Sequence, residues 1–342
     1  MTKRTKYFLM GSVSVLALGL TVGLTAYFGG VPGFAEPAGP EELIYVPNDA
    51  AVVAYADVKS LMSSEFRQQV KALEPAEGQE GRNEIKEAVG IDIEQDIDYV
   101  VACMLAAPAA GTEAPNGYIL ARGRFDAPRI EAFIREKGGV EQDYRGKKMF
   151  VHPVETAVVE GATPRPEMGI TFVTPNVVAL GSTAALRKVI DIQFAQASTV
   201  LANADVMKMI GTVEPGNNAW VVGRFDVLSR HAHLPAEVAG QLPQVTWFSA
   251  GGHVNGGVMG TVSLTARDEE AAKNLQAVAG GFIALANMQA SSKPELQAVM
   301  KSVQLSTDGN TVSVSFSLPS TVIEAMKTVS GMSQPHQKPE PK

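Results

Sequence analysis

Cysteine is almost absent from this sequence, because its 342 residues include only Cys103. A single cysteine excludes an intramolecular disulfide framework, so the folded chain has to be stabilised by an apolar core. Apolar residues make up 45% of the sequence, which is enough for one or two such cores. Cys103 lies in an apolar, strand-like run at residues 99–107, and we expect it to be buried and unreactive.

The motifs of common enzyme classes are missing as well. The sequence has no phosphate-binding loop, dinucleotide fingerprint or zinc-protease helix. Ser249 does not match a nucleophile elbow, since Trp247 occupies the position of the first glycine. Ser182 lies between a predicted strand and a predicted helix, where serine usually caps the helix. We therefore predict no catalytic residue, no cofactor and no metal site.

Two groups of residues leave a metal site open as an alternative. His231 and His233 form a His-x-His pair, and His253 in a glycine-rich hairpin would have to join them to bind zinc. Acidic residues also alternate at positions 92, 94, 96 and 98, but Ile97 and Cys103 replace the glycine and the terminal acid of a calcium loop. The enzymatic alternative is thus a periplasmic hydrolase or metal-dependent enzyme.

The N-terminus predicts export. Residues 7–28 form a run of 22 residues without a charge, preceded by Lys3, Arg4 and Lys6. About 20 apolar residues span a bilayer as a helix, and the preceding cations favour an N-terminus in the cytoplasm. We therefore expect residues 1–28 to be a retained anchor in the cytoplasmic membrane, with the main domain in the periplasm. The alternative is a signal peptide cleaved before Glu36, but this apolar run is longer than the apolar core of a usual signal peptide.

Composition divides the remainder of the chain. Residues 29–42 are rich in Gly, Pro and acidic residues and predict a flexible linker, whereas residues 331–342 predict a disordered tail. Without the three N-terminal cations the chain has 26 Lys and Arg against 36 Asp and Glu, a net charge near −10. This acidity argues against nucleic acid as a partner.

The folded part predicts a duplicated unit. The tetrapeptide Gly-Arg-Phe-Asp occurs at residues 123–126 and 223–226, and residues 53–58 align with residues 222–227. Asp57, Asp126, Asp226 and Asp268 each follow a predicted strand, and we expect them to cap helices. We assign residues 43–200 and 201–330 to two α+β repeats, each with the order strand, helix, hairpin, helix, hairpin, helix. Asn-Gly pairs at 116–117 and 255–256 predict tight hairpin turns.

Periodicity predicts how these elements pack. Residues 312–318 alternate apolar residues with serine, as in a strand half buried against helices. A helix from Glu269 to about Met288 has an apolar stripe that we expect to face the core: Ala271, Leu275, Val278, Phe282 and Leu285. The predicted fold class is α+β, with two related halves, each a mainly antiparallel sheet with helices on one face.

Three segments, residues 46–58, 90–98 and 178–182, resemble an uncharacterised family of exported bacterial envelope proteins. The resemblance implies export and a duplicated α+β domain, and it implies no catalytic residue. We therefore favour a non-enzymatic, membrane-anchored envelope protein whose duplicated domain binds a partner protein or an apolar ligand. A lipid carrier is a further alternative, since an antiparallel sheet covered by helices can enclose an apolar chain.

The anchor yields the first testable prediction. N-terminal sequencing of the protein isolated from membranes should begin within residues 1–28, because a run of 22 uncharged residues is longer than a usual signal-peptide core. A mature protein that begins at Glu36 would contradict the anchor and favour the cleaved signal.

Overall fold

The computed structural model describes residues 40–71, 76–106, 116–152, 167–213, 216–231, 244–291 and 294–319. The predicted anchor, the predicted tail and the last predicted helix near Thr321 lie outside these residues. Within them, no helix combines the length and the apolar character needed to cross a membrane. The anchor therefore stays a prediction from the sequence.

Twelve strands form one sheet. They are β1 (Ala50–Asp57), β2 (Ile97–Leu105), β3 (Gly117–Gly123), β4 (Val140–Tyr144), β5 (Lys147–His152), β6 (Met168–Thr174), β7 (Val177–Ser182), β8 (Ala219–Arg224), β9 (Val245–Val254), β10 (Gly257–Ala266), β11 (Gln304–Asp308) and β12 (Thr311–Pro319).

The described helices vary in length from one turn to six. They are α1 (Val58–Ser63), α2 (Glu65–Lys71), α3 (Ala76–Val89), α4 (Ile93–Asp96), α5 (Ala127–Glu136), α6 (Thr183–Gln193), α7 (Ala204–Ile210), α8 (Phe225–His231), α9 (Glu269–Ala290) and α10 (Pro294–Ser302). Short 3₁₀ helices occur at Glu41–Tyr45 and Val200–Ala202. Glu42, at the end of the predicted linker, is buried and accepts a hydrogen bond of 2.6 Å from Arg122.

The strand order repeats about the centre of the sheet. It reads β11-β12-β10-β9-β8-β1-β2-β3-β7-β6-β5-β4, and the described pairs are antiparallel. Outward from β1 the strands are β2, β3, β7 and β6, and outward from β8 they are β9, β10, β12 and β11. The first half ends in an additional hairpin, β4 and β5, that has no counterpart among the described strands of the second half. The mixed α+β class with a large antiparallel sheet is thus confirmed, although the two halves share a single sheet.

The repeated tetrapeptide does not mark equivalent positions. Residues 123–126 lie at the end of β3, whereas residues 223–226 lie at the end of β8. The counterpart of β8 in the first half is β1, not β3. The structural equivalents are instead residues 53–58 and 222–227, as their alignment predicts, and the ends of β3 and β10. Asp126 and Asp268 therefore correspond to each other, since each precedes the helix that follows the second strand of a hairpin.

Helices pack on both faces of the sheet, in contrast to the single face that was predicted. Face A contains Val53, Val101 and Leu120, which share one core with α6, α7 and both 3₁₀ helices. Face B contains Ala54 and Phe248, which pack against α8. The central strand β1 is buried along most of both faces, because its apolar residues are nearly continuous instead of alternating.

Three of the four aspartates predicted as helix caps are confirmed. Asp57 accepts a hydrogen bond from the Ser60 amide at 2.8 Å, Asp126 from Arg129 at 3.2 Å and Asp268 from Ala271 at 2.8 Å. Ser182 likewise caps α6 through the Ala185 amide at 3.2 Å.

The prediction for Asp226 is wrong. Helix α8 begins one residue earlier, at Phe225, which is buried against face B. Asp226 is therefore the second residue of the helix, and it accepts hydrogen bonds from the Arg224 guanidinium at 2.9 and 3.0 Å.

The apolar stripe of α9 is buried only in its first half. Ala271 and Leu275 pack on face B against Val312. Val312 is the one buried residue of β12, and its later apolar residues are partly buried, as are the serines between them. Farther along the same stripe, Phe282 is 45% exposed and Leu285 is 50% exposed. The stripe therefore continues beyond the part of the sheet that covers it.

The two Asn-Gly pairs differ in structure. Residues 255–256 form the turn between β9 and β10, as predicted. In contrast, Gly117 is the first residue of β3 and pairs with Met104, so Asn116-Gly117 is not a tight turn. A Cβ atom at Gly117 would lie 2.1 Å from the Cys103 carbonyl oxygen, so glycine permits the close approach of β2 and β3.

The helix caps yield a second prediction. Burial raises the pKa of Asp57, whereas the Ala271 amide lowers the pKa of Asp268. Folding therefore disfavours the charge of Asp57 and favours that of Asp268. Because asparagine caps about as well as aspartate, Asp57→Asn should keep or raise the free energy of unfolding at pH 7, and Asp268→Asn should lower it. Asp57→Ala should cost about 1 kcal/mol.

Urea unfolding of these variants at several pH values measures the difference. The advantage of Asp57→Asn should shrink as the pH falls through the raised pKa of Asp57, since the wild-type carboxyl is then neutral in the folded state. Equal effects of Asp57→Asn and Asp268→Asn at pH 7 would contradict the assignment.

Candidate apolar binding face

The histidines considered for zinc do not converge on one face. His253 lies on face A of β9, where its Nδ1 is 2.8 Å from the Gly216 carbonyl oxygen. Helix α8, which ends at His231, packs on face B. His233 lies outside the described residues. The sheet therefore separates His253 from the helix that contains His231, and no metal-binding group of three residues occurs in the described ranges.

The acidic run at positions 92–98 forms ion pairs that join helices. Asp92 accepts a hydrogen bond from Lys86 at 2.7 Å, and this bond lowers the pKa of the Asp92 carboxyl. Glu94 pairs with Arg67 at 2.7 Å. Asp96 accepts a hydrogen bond of 2.8 Å from the Asp92 amide. These carboxylates attach α2 and α3 to the short helix α4, and they point to different partners instead of one ion.

Cys103 is part of the core on face A, as predicted. It is 3% exposed, and burial raises the pKa of its thiol to about 12. Its cross-strand neighbour Tyr118 donates a hydrogen bond to the Tyr45 carbonyl oxygen, and burial raises the pKa of that phenol as well. These groups stay protonated at neutral pH and stabilise the core.

An apolar surface that the sequence did not single out lies on face B of the first half. Alternate residues of a strand point to opposite faces, and in the middle of β2, β3, β6 and β7 most residues of both sets are apolar. On face A these strands are covered by α6. The apolar residues that share face B form what we call the apolar binding face: Val100, Ala102, Met104, Ile119, Ala121, Ile170, Phe172, Val178 and Leu180.

The two faces of these strands are buried to different extents. On face A, Val101, Leu120 and Val173 are at most 1% exposed. On face B, all residues of the apolar binding face except Val178 are only partly buried. From the spacing of strands and residues, the surface measures about 14 Å across four strands and about 13 Å along them. This surface is a candidate interaction site, because the largest apolar patch on a protein surface often has a function.

The borders of this surface are formed by helices on either side. Ala102 and Met104 pack against the cluster that contains Phe225 and Val227 of α8. At the opposite border, the Arg135 guanidinium of α5 lies 4.9 Å above the ring of Phe150, which pairs with Ile170 in the sheet. The apolar binding face therefore lies between α8 and α5.

The charges at the outer border of this surface are paired with each other. Arg135 donates hydrogen bonds to Glu131 at 3.0 Å and to Glu141 at 2.7 Å, and Lys148 lies 3.4 Å from Glu141. The bond from Arg135 lowers the pKa of Glu141. The nine residues of the face include no charged side chain, so its chemistry suits an uncharged, apolar ligand.

The second half shows what covers the equivalent strands. Its counterpart of α5 is α9, which also begins after an aspartate cap at the end of a hairpin. Helix α9 has 22 residues and packs on face B of the second half, whereas α5 has 10 residues. At 1.5 Å per residue these lengths are about 33 and 15 Å. The first half of α9, with Ala271 and Leu275, thus covers strands of the second half that are equivalent to β3, β7 and β6.

No protein-family model and no curated protein matches the chain. Among solved structures, the chain is similar to crystal form I of TP0453, with a TM-score of 0.45 and 8% identity over 85% of this chain and 98% of that chain. A likeness at this level supports no inference about function. The predicted membership of an envelope-protein family is therefore not confirmed.

The buried thiol yields a third prediction. Because Cys103 is 3% exposed and burial raises its pKa to about 12, iodoacetamide at pH 8 should leave the native protein unlabelled. The same reagent should label one cysteine per chain in urea, as measured by intact mass. Labelling of the native protein at the rate of the unfolded chain would show that this part of the core opens.

Proposed function

We propose that the protein is a non-enzymatic, membrane-anchored envelope protein that binds an apolar ligand, such as an acyl chain, on the apolar binding face. The observation that carries this proposal is the difference between the two sides of β2, β3, β6 and β7. Most residues on both sides are apolar, yet among the residues that the structure describes only face A is covered by a helix along its length. A ligand on face B of the first half would bury side chains on strands equivalent to those that α9 covers in the second half.

The free energy available from this surface is sufficient for binding. Burial of apolar area contributes roughly 25 cal/mol per Å², and a single core-sized side chain contributes about 1.5–3 kcal/mol. Each of the eight partly buried residues has at most about a third of its surface left to bury, so together they can contribute about as much as one to three fully buried side chains. The strands are held in place by the core on face A, so little conformational entropy is lost when the ligand binds.

The enzymatic alternative receives less support from the geometry. Its zinc site required His253 to approach His231 and His233, whereas His253 lies on the face opposite to α8. The proposed location, anchored at the periplasmic side of the cytoplasmic membrane by residues 7–28, rests on the sequence and is consistent with an acyl ligand drawn from that membrane.

Binding of a fluorescent fatty acid tests the proposal and gives the fourth prediction. The full chain in a non-ionic detergent should bind cis-parinaric acid with saturation at one equivalent. In Ala121→Phe, the new ring would fill the space between Val100 and Val178, which flank Ala121 in the sheet. We expect the dissociation constant to rise at least about tenfold, which corresponds to about 1.4 kcal/mol.

A matched variant controls for the added ring. Thr261 lies on face A of β10 and is also partly buried, and Thr261→Phe should leave the affinity unchanged. Thermal unfolding verifies that both variants fold. Absence of saturable binding, or equal weakening by the two variants, would contradict the proposed site. Mass spectrometry of an organic extract from the isolated chain should identify the native ligand.

A further inference from the structure

The two edges of the sheet differ in how they are protected. An edge strand presents unpaired N–H and C=O groups, and proteins usually guard it with charged side chains. The edge strand β4 has two exposed carboxylates, Glu141 and Asp143. The edge strand β11 has no charge before its last residue, Asp308, and four of its five residues are exposed. The edge at β11 is therefore open to a further strand.

The internal repeat shows where such a strand would lie. The counterpart of β11 in the first half is β6, whose outer edge pairs with β5 through Phe150 and Ile170. In the described part of the second half, no strand pairs with the outer edge of β11. The position that β5 fills in the first half is thus unfilled among the described residues of the second half.

An exposed apolar surface lies beside this edge. A Cβ atom built on Gly280 of α9 would be 3.8 Å from Leu305 Cδ2, so the middle of α9 lies next to β11. On the following turns, Phe282 is 45% exposed, Leu285 is 50% exposed and Met288 is 73% exposed. The sequence has no charge over residues 274–292, a run of 19. A partner at this edge would also cover an apolar helix surface.

We propose that a second copy of this chain occupies the edge, with β11 of each copy paired antiparallel about a two-fold axis that passes beside Ser306. This axis places Ser306 opposite Ser306 of the other copy, Leu305 opposite Thr307, and Gln304 opposite Asp308. It is perpendicular to the sheet and keeps face B of both copies on the same side, so the two α9 helices lie next to each other.

Charge and symmetry favour a second copy over another strand donor. A two-fold axis generates antiparallel pairing, which is the arrangement of the described strand pairs in this sheet. The register opposes Asp308 with Gln304, so the only charges of β11 do not face each other. The chain has a net charge of −7 at pH 7, and the uncharged run at residues 274–292 allows two acidic molecules to approach here without repulsion.

Disulfide cross-linking tests the proposal, because Cys103 is the only cysteine of the sequence and is 3% exposed. In Ser306→Cys, the two new cysteines would face each other with Cα atoms about 4.5–5.5 Å apart, which falls within the range of disulfides. Mild oxidation of the full chain in its membranes should give a dimer on a non-reducing gel. Reduction should return it to the monomer.

Two further variants separate this contact from chance collision and from misfolding. Ser263 lies on the same face of the sheet as Ser306 but two strands inward from the edge. The Ser263→Cys variant should therefore stay monomeric under the same oxidation. Ser306→Lys would oppose two ammonium groups, so in sedimentation equilibrium in detergent the wild-type dimer should shift to a monomer with unchanged circular dichroism.

Several outcomes would overturn the proposal. They are a monomeric Ser306→Cys chain after oxidation, equal cross-linking of Ser263→Cys, a cross-link from Ser306→Cys to a different protein, or a wild-type chain that sediments as a monomer. Fatty-acid binding by Ser306→Lys should match the wild type, so a failure of the dimer and a failure of the apolar binding face are distinguishable.

Discussion

The antiparallel pairing of β1 with β8 is the interaction on which the architecture depends. Val53 and Val222 lie opposite each other there, and each is 0% exposed. A Cβ atom on Gly223 would lie 2.9 Å from the Ala51 carbonyl oxygen, so glycine lets the two strands come together. Because this pair joins the halves edge to edge, one continuous sheet forms. Face A of the first half is therefore continuous with face A of the second half, and the same holds for face B.

Asn218, the residue directly before β8, holds the start of this strand against its neighbours. Its side chain donates a hydrogen bond to the Val254 carbonyl oxygen at 2.8 Å and accepts one from the Val254 amide at 2.9 Å. Its own carbonyl oxygen accepts a bond from the Asp57 amide at 2.8 Å. One buried amide thus connects β1, β8 and β9 and satisfies backbone groups that would otherwise be costly to bury. Helix α1 follows β1 and helix α8 follows β8, and both pack on face B, α1 through Leu61 against Ala56 and α8 through Phe225.

Much of the strand pattern could be predicted, because its signals are local. The apolar run at residues 51–56 and the alternation at residues 312–318 both coincide with strands. The missed strand β4 contains Glu141, Gln142 and Asp143 and shows no regular alternation. Its hairpin depends on a turn in which Arg145 and Gly146 have φ values of 55° and 76°. Arginine rarely adopts a positive φ, so the sequence did not indicate a turn at this position.

The apolar binding face could not be predicted, because its signal is identical to that of a core. Ile119 and Ala121 alternate with Tyr118 and Leu120 in a strand that is apolar on both sides. Which side is covered depends on helices that are distant in sequence, and periodicity gives no information about them. The same limit explains α9, where Phe282 fits the stripe of a buried helix but lies beyond the strands that would bury it.

The two halves differ in the helix that lies on face B. In the second half, Leu264, Val312 and Leu305 of β10, β12 and β11 pack beneath α9. The equivalent strands of the first half have similar apolar residues on face B, but α5 is 12 residues shorter than α9. The additional residues of α9 lie mostly beyond these strands, since Phe282 is 45% exposed and Leu285 is 50% exposed. The proposed ligand site therefore rests on the partial burial of the apolar residues on face B of the first half, and helix length alone does not explain it.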